Sequence, residues 1–242
     1  MTLAPPIKLP HAILFDTFGT LVDWRSSLIS AFTQFGQSRQ LNVSWPALVD
    51  QWRAAYAPSM DLVRTGQQPW MILDELHRAS LTELLPSFGL TDLSSQDTDY
   101  LTHFWHQLNP WPDVLPGLAH LKTRFLIGPL SNGNFSLMVE LNKFAGFGWD
   151  FVFGSDLFKH YKPDPETYLG ACALLGLEPG QVLMVAAHNY DLDAARSLGL
   201  RTGFIPRPTE YGPAQTKDLE AEGLWDFVAA DLEDLAAQLS RD

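Results

Sequence analysis

The chain has 242 residues, 46% of them hydrophobic and 12% aromatic, with 17 Gly and 17 Pro. That balance allows a large buried interior and excludes disordered and low-complexity repeat architectures. A formal charge of −12 excludes nucleic acid as a partner, because phosphate binding needs a basic patch and none is visible. An anionic substrate must then be drawn in by local cations. The first ten residues, MTLAPPIKLP, hold no apolar leader core, and no segment reaches the roughly 20 apolar residues of a membrane span, so neither secretion nor membrane insertion is expected. The sole cysteine, Cys172, sits in an apolar helical run, Tyr168–Leu175. It forms no intramolecular disulfide, and a reducing cytoplasm is the expected setting.

Taken in order, Ala12–Phe15 is a short apolar run ended by Asp16 and Gly19, the pattern of a buried strand whose carboxyl end carries a polar loop. Helical periodicity follows over Ser27–Phe35, Trp45–Val63, Trp70–Leu85 and Asp97–Leu108, with Gly66, Gly89 and Pro110-Trp111-Pro112 as punctuation. His103 and His106 fall in the last of these without evident carboxylate partners, so no metal site is expected from them. Phe125–Leu130 is a second strand running into Ser131-Asn132-Gly133-Asn134, and Val182–Ala187 a third running into His188-Asn189-Tyr190-Asp191. Strand, polar loop and helix in repetition imply a parallel sheet with helices on both faces, a doubly wound, Rossmann-like α/β core. The predicted core is residues 1–23 with 113–242, interrupted by a helical cap over 24–112. Ligands of such sheets bind beyond the carboxyl ends of the strands, so the polar loops should converge.

Asp16-Thr17-Phe18-Gly19-Thr20 sets a carboxylate at a strand end before a glycine that lets the backbone turn. Such a carboxylate can attack an electrophile or merely cap a turn. Ser131 and Asn132 offer a hydroxyl and an amide at the second strand end. In Tyr161-Lys162-Pro163-Asp164-Pro165, Asp164 can cap the next helix and Lys162 stands in the proline-stiffened loop before it. Asp191 opens a helix, where an acid also serves as a cap.

These ordered motifs resemble the haloacid dehalogenase superfamily: Asp16 to Thr20, Ser131-Asn132, Lys162-Pro163, and Asp191 with its helix. Phosphatases of that kind carry a second Asp two residues after the nucleophile to protonate a leaving alcohol. Here the position is Phe18, which transfers no proton, and a departing halide needs none. The resemblance narrows to type II 2-haloacid dehalogenases, because Trp52-Arg53 is similar to their tryptophan and halide-collecting arginine and Tyr168 to a tyrosine of theirs. It implies that Asp16 displaces halide from a short 2-haloalkanoic acid, forming an aspartyl ester. The substrate carboxylate would rest on Ser131, Lys162 and backbone near Thr17 and Phe18. Halide would leave toward Arg53, Asn132 and Tyr190, Tyr168 would also contact the ligand, and Asp191 would activate the hydrolytic water. His188, where the family often has asparagine, is either a helper to that water or a hydrogen-bonding spacer. No cofactor or metal is implied, and a homodimer is. The rival expectations are a magnesium-dependent phosphohydrolase using Asp16, the Phe18 carbonyl and Asp191, and a ligand-binding relative without turnover.

Overall fold

The computed structural model describes residues 9–240. Most of the amino-terminal stretch searched for a leader lies outside them. Five parallel strands, β1 (Ala12–Phe15), β2 (Leu126–Pro129), β3 (Val182–Ala186), β4 (Arg201–Phe204) and β5 (Phe227–Val228), form one sheet in the order β2-β1-β3-β4-β5. β1 is central, with β2 on one side and β3 on the other in matching register. Its alternation explains why both faces are covered. Ile13 and Phe15 join the larger hydrophobic core with Leu183 and Val185, whereas Leu14 joins the second core with Val182, Met184 and Ala186. A strand apolar on both sides needs helices on both sides. The core is therefore the doubly wound Rossmann-like sheet expected, and its reversal of direction at β1 puts Asp16 where ligands bind.

Between β1 and β2 every element is helical: α1 (Trp24–Arg39), α2 (Trp45–Ala54), α3 (Tyr56–Arg64), α4 (Leu73–Leu84) and α5 (Ser95–Thr102), 3-10 turns at Leu85–Phe88 and His103–His106, and α6 (Val114–Leu121) returning to the sheet. The single helix expected over Trp45–Val63 is two. Pro58 lacks an N–H and its ring would collide with the carbonyl of Ala54, which is where α2 stops. The helix expected from Trp70 begins at Leu73. α7 (Phe135–Ala145), α8 (Pro165–Leu175), α9 (Asn189–Ser197) and α10 (Leu232–Leu239) complete the core. β4, β5 and α10 were not expected from the sequence: β5 is two residues long and β4, Arg-Thr-Gly-Phe, begins with polar residues around a glycine.

The helical insertion is held over the strand ends by an aromatic cluster. Trp105 packs edge-on against Phe18 and Trp52 and stacks on Trp24 and His77. Polar joints supplement it. Arg64 of α3 pairs with Asp164, so that the Asp164 side chain serves this joint instead of capping α8 as expected. His106 lies between Asp74 of α4 and Glu140 of α7, at 3.1 and 2.9 Å. This corrects the expectation that the insertion's histidines lack carboxylate partners: the partners are distant in sequence and come together only when α7 meets the 3-10 turn.

Trp105 is 1% exposed, so Trp105→Ala should cost about 3–5 kcal/mol of stability, measured by urea denaturation. A loss under about 1 kcal/mol would mean that the cluster does not hold the insertion in place.

Candidate active site

Asp16 follows directly from β1, and its two oxygens are held separately. Lys162 Nζ donates to Oδ1 at 2.8 Å. Thr20 Oγ1 donates to Oδ2 at 2.7 Å while accepting from the Ala187 N–H, which ties the β1 loop to the end of β3. His188 Nδ1 lies 3.1 Å from the same Oδ2. Lys162 also donates to Asp191 Oδ2 at 2.5 Å, and the hydroxyl of Tyr168 donates to Asp191 Oδ1 at 2.5 Å. Asn132 Oδ1 accepts from the Lys162 backbone N–H and so fixes the lysine loop. Ser131 Oγ accepts from the Gly133 N–H, leaving its own proton for an anionic ligand. Three loops from three strand ends thus meet within hydrogen-bonding distance.

The charges explain one another. Burial works against ionised Asp16, but Lys162 and His188 beside it hold its carboxyl well below the usual range. Burial likewise disfavours the Lys162 ammonium, and Asp16 and Asp191 together raise it above its ordinary value. Asp191, fully buried, is pushed up by burial and by the Asp16 charge against the pull of Lys162. Removing the lysine would leave two facing buried carboxylates, which cannot both ionise at modest cost.

Sequence reasoning missed Glu210. It lies in the loop after β4, 1% exposed, with Oε2 2.9 Å from His188 Nε2 and Oε1 accepting from the Trp24 indole. His188 therefore has a carboxylate on each ring nitrogen. Burial opposes its charge, yet Glu210 and Asp16 raise it from 6.5 to about 10. Arg207 secures the loop by donating to the Thr20 carbonyl and pairing with Asp113. Gly19 makes room for it: with φ at +90°, a Cβ there would stand 2.2 Å from Glu210 Oε1. No motif flags this glutamate. The one available signal was the acidic residue itself in an Arg-Pro-Thr-Glu stretch after an unrecognised strand.

A cavity of about 730 Å³ opens beside these groups, lined among others by Arg53, Tyr56, Lys162, Tyr190, Tyr211 and Trp24. Arg53 lies over the rings of Tyr56 and Trp24 at 4.1 and 5.2 Å, with Nη2 3.8 Å from Glu210. Its Nη1 is buried with no hydrogen-bond partner among the described residues. Trp52, in the aromatic cluster, anchors α2 so that Arg53 points this way. Tyr190 and Lys162 of the predicted set line the cavity, and Tyr56 and Tyr211 are additions to that set. Thr17 turns its hydroxyl toward Met138, and Phe18 is wedged against Tyr56 and Trp105. Tyr168, expected to touch the ligand, stands behind Asp191 with its hydroxyl spent there. Asp191, expected to activate water, is fully buried and has both oxygens occupied.

A family model described as haloacid dehalogenase-like hydrolase matches residues 10–199. The chain is 29% identical over 228 residues to (S)-2-haloacid dehalogenase 4A of Burkholderia cepacia, covering 90% of this chain and 95% of that one. The solved L-2-haloacid dehalogenase PA0810 is 53% identical with a TM-score of 0.94, covering 96% of this chain and all (100%) of that one. The defluorinating L-2-haloacid dehalogenase Rha0230 is 49% identical with a TM-score of 0.93, covering 95% of each chain.

The raised His188 gives a pH signature. Below its ordinary 6.5 the ring is charged in folded and unfolded chains alike and its pairing contributes fully, and the contribution is lost as pH climbs through about 10. The difference in denaturation midpoint between wild type and His188→Gln should therefore shrink across that window. A difference that stays level would show that the ring is neutral.

Proposed function

The chain belongs to the haloacid dehalogenase-like hydrolases, and from that footing we propose that it hydrolyses the carbon–halogen bond of short 2-haloalkanoic acids, with Asp16 as nucleophile. The observation that carries this reading is an ionised Asp16, held by Lys162 beside a cavity with an unpartnered arginine N–H, while Phe18 occupies the place of a phosphatase's acid. The substrate carboxylate binds the free proton of Ser131 and the one Lys162 N–H not taken by Asp16 or Asp191. Asp16 attacks C2 opposite the halogen. Halide leaves toward Arg53 Nη1, with Asn132 and Tyr190 nearby, configuration inverts, and an ester joins Asp16 to C2.

Water activation is better assigned to His188 than to Asp191. Esterification removes the Asp16 charge, one of the two carboxylates that keep His188 protonated, so the ring yields its proton to solvent. Glu210 keeps it oriented. Nδ1, already facing Asp16, then takes a proton from water as that water attacks the ester carbonyl carbon. The 2-hydroxy acid departs, Asp16 is restored, and His188 again carries a proton. Asp191 and Tyr168 act through Lys162, fixing its position. The magnesium phosphohydrolase reading lacks support, since Phe18 supplies no proton and both Asp16 oxygens are engaged by Lys162, Thr20 and His188. A cytoplasmic setting is part of the proposal, supported by the lone buried thiol of Cys172. So is self-association, supported by the exposed Phe135, Val139 and Phe144 along α7. Among the described residues no helix is long and apolar enough to cross a membrane.

One turnover with excess enzyme in heavy-oxygen water should place label in the Asp16 carboxylate and none in the first hydroxy acid formed. Labelled first product would overturn the covalent route. Turnover of chloroacetate should also persist in excess chelator. Glu210→Gln should still release halide in a first burst but slow steady turnover by about 10²-fold or more, with the ester mass accumulating on Asp16. A variant that turns over normally would remove the His188–Glu210 pair from the hydrolytic step.

A further inference from the structure

Beside a recess that shares no lining residue with the Arg53 cavity, His103 and His106 of the 3-10 turn meet Glu140 of α7, and the ligating atoms of the three lie within 4.8 Å of one another. His106 Nδ1 is 2.9 Å and His103 Nε2 3.5 Å from Glu140 Oε2, with the two imidazoles 4.3 Å apart between centroids. From this geometry we propose that His103, His106 and Glu140 form a binding site for a divalent zinc-like ion that bridges the insertion and the sheet-bearing core. Two imidazoles and one carboxylate are a donor set that zinc favours, and ligands about 2.0–2.1 Å from a tetrahedral ion stand ~3.4 Å from each other, close to the spacing found.

A second layer of structure already orients the ligands. His106 Nε2 is 3.1 Å from Asp74 Oδ1, the arrangement in which a carboxylate fixes the ring so that its other nitrogen faces the metal. Asp74 is held in turn by Asn134, whose amide donates to Oδ2 at 2.9 Å and whose carbonyl accepts from the Asp74 N–H. His106 is buried, whereas His103 and Glu140 are about half exposed, so an ion can enter and Glu140 can swing to admit it. A recess of about 250 Å³ beside the histidines gives room for water in the remaining position, and Asp74, Glu75 and Asp99 around it outweigh the single guanidinium of Arg78. The active site uses none of these residues, and halide displacement as derived above does not need the ion.

Chelator-treated protein titrated with zinc should show saturable binding and a rise in thermal midpoint, and cobalt should give the intense visible bands of a four-coordinate ion. Magnesium should do neither, because it prefers oxygen ligands in octahedral array. His103→Ala and Glu140→Gln alter half-exposed side chains, so both should fold as wild type while losing zinc affinity by more than about 100-fold. Asp74→Asn, which keeps the shape but weakens the hold on His106, should lose about 10–100-fold. A wild type that neither binds zinc nor shifts in midpoint would overturn the site. So would zinc binding of equal strength in folded His103→Ala and Glu140→Gln.

Discussion

An ammonium group set between two buried carboxylates is the constraint on which the rest of this molecule depends. Lys162 touches Asp16 and Asp191, each at hydrogen-bonding distance, and all three are buried. Three loops must be brought to one point for that contact to exist, and the parallel sheet does so because β1 and β3 are neighbours whose carboxyl ends face the same way. The remainder of the site balances the ledger of charge: Asp16, Asp191 and Glu210 against Lys162, His188 and Arg53. In an acidic chain this local neutrality suits the anionic substrate proposed, because the arginine and lysine assigned to meet it are not overwhelmed by unpaired carboxylates.

The same packing suits Asp16 to the nucleophilic role proposed for it. An aspartate shielded from water is a stronger nucleophile than a hydrated one, but only if its charge survives burial. Lys162, Thr20 and His188 supply that survival through separate contacts to the two oxygens. The contacts differ in permanence. Lys162 and Thr20 remain suited to an ester oxygen as donors, whereas His188 owes part of its protonation to a charge that the proposed esterification abolishes. In the proposed reaction one histidine thus supports the carboxylate before the bond to carbon forms and receives a proton afterwards.

Legibility in the sequence followed strand boundaries. Asp16, Ser131, Asn132, Lys162 and Asp191 were readable because each lies just beyond an apolar run or at a proline-marked helix start, and topology brings such places together. Arg53 could be singled out only by resemblance, since nothing in the pattern of α2 says that the next side chain after a core tryptophan faces a cavity. Glu210 was invisible because β4 was: its polar start and glycine hid the strand whose loop carries the residue. The role proposed for His188 could not be read without it. Tyr168 and Asp191 show a different limit, for the resemblance gave their proximity to the site but not that they occupy each other. His106 is the same lesson in the insertion, where Asp74 and Glu140 come from elements far apart in the chain.

Gly19 and Glu210 carry a consequence for descent. Any side chain at 19 would strain a backbone at φ +90° and would strike the carboxylate that orients His188. Position 19 is therefore closed twice over, by its own backbone angle and by the carboxylate, and a lineage that shortened 210 would lose the imidazole's anchor without gaining freedom at the glycine. Among descendants of this chain glycine should persist at 19 even where 210 changes.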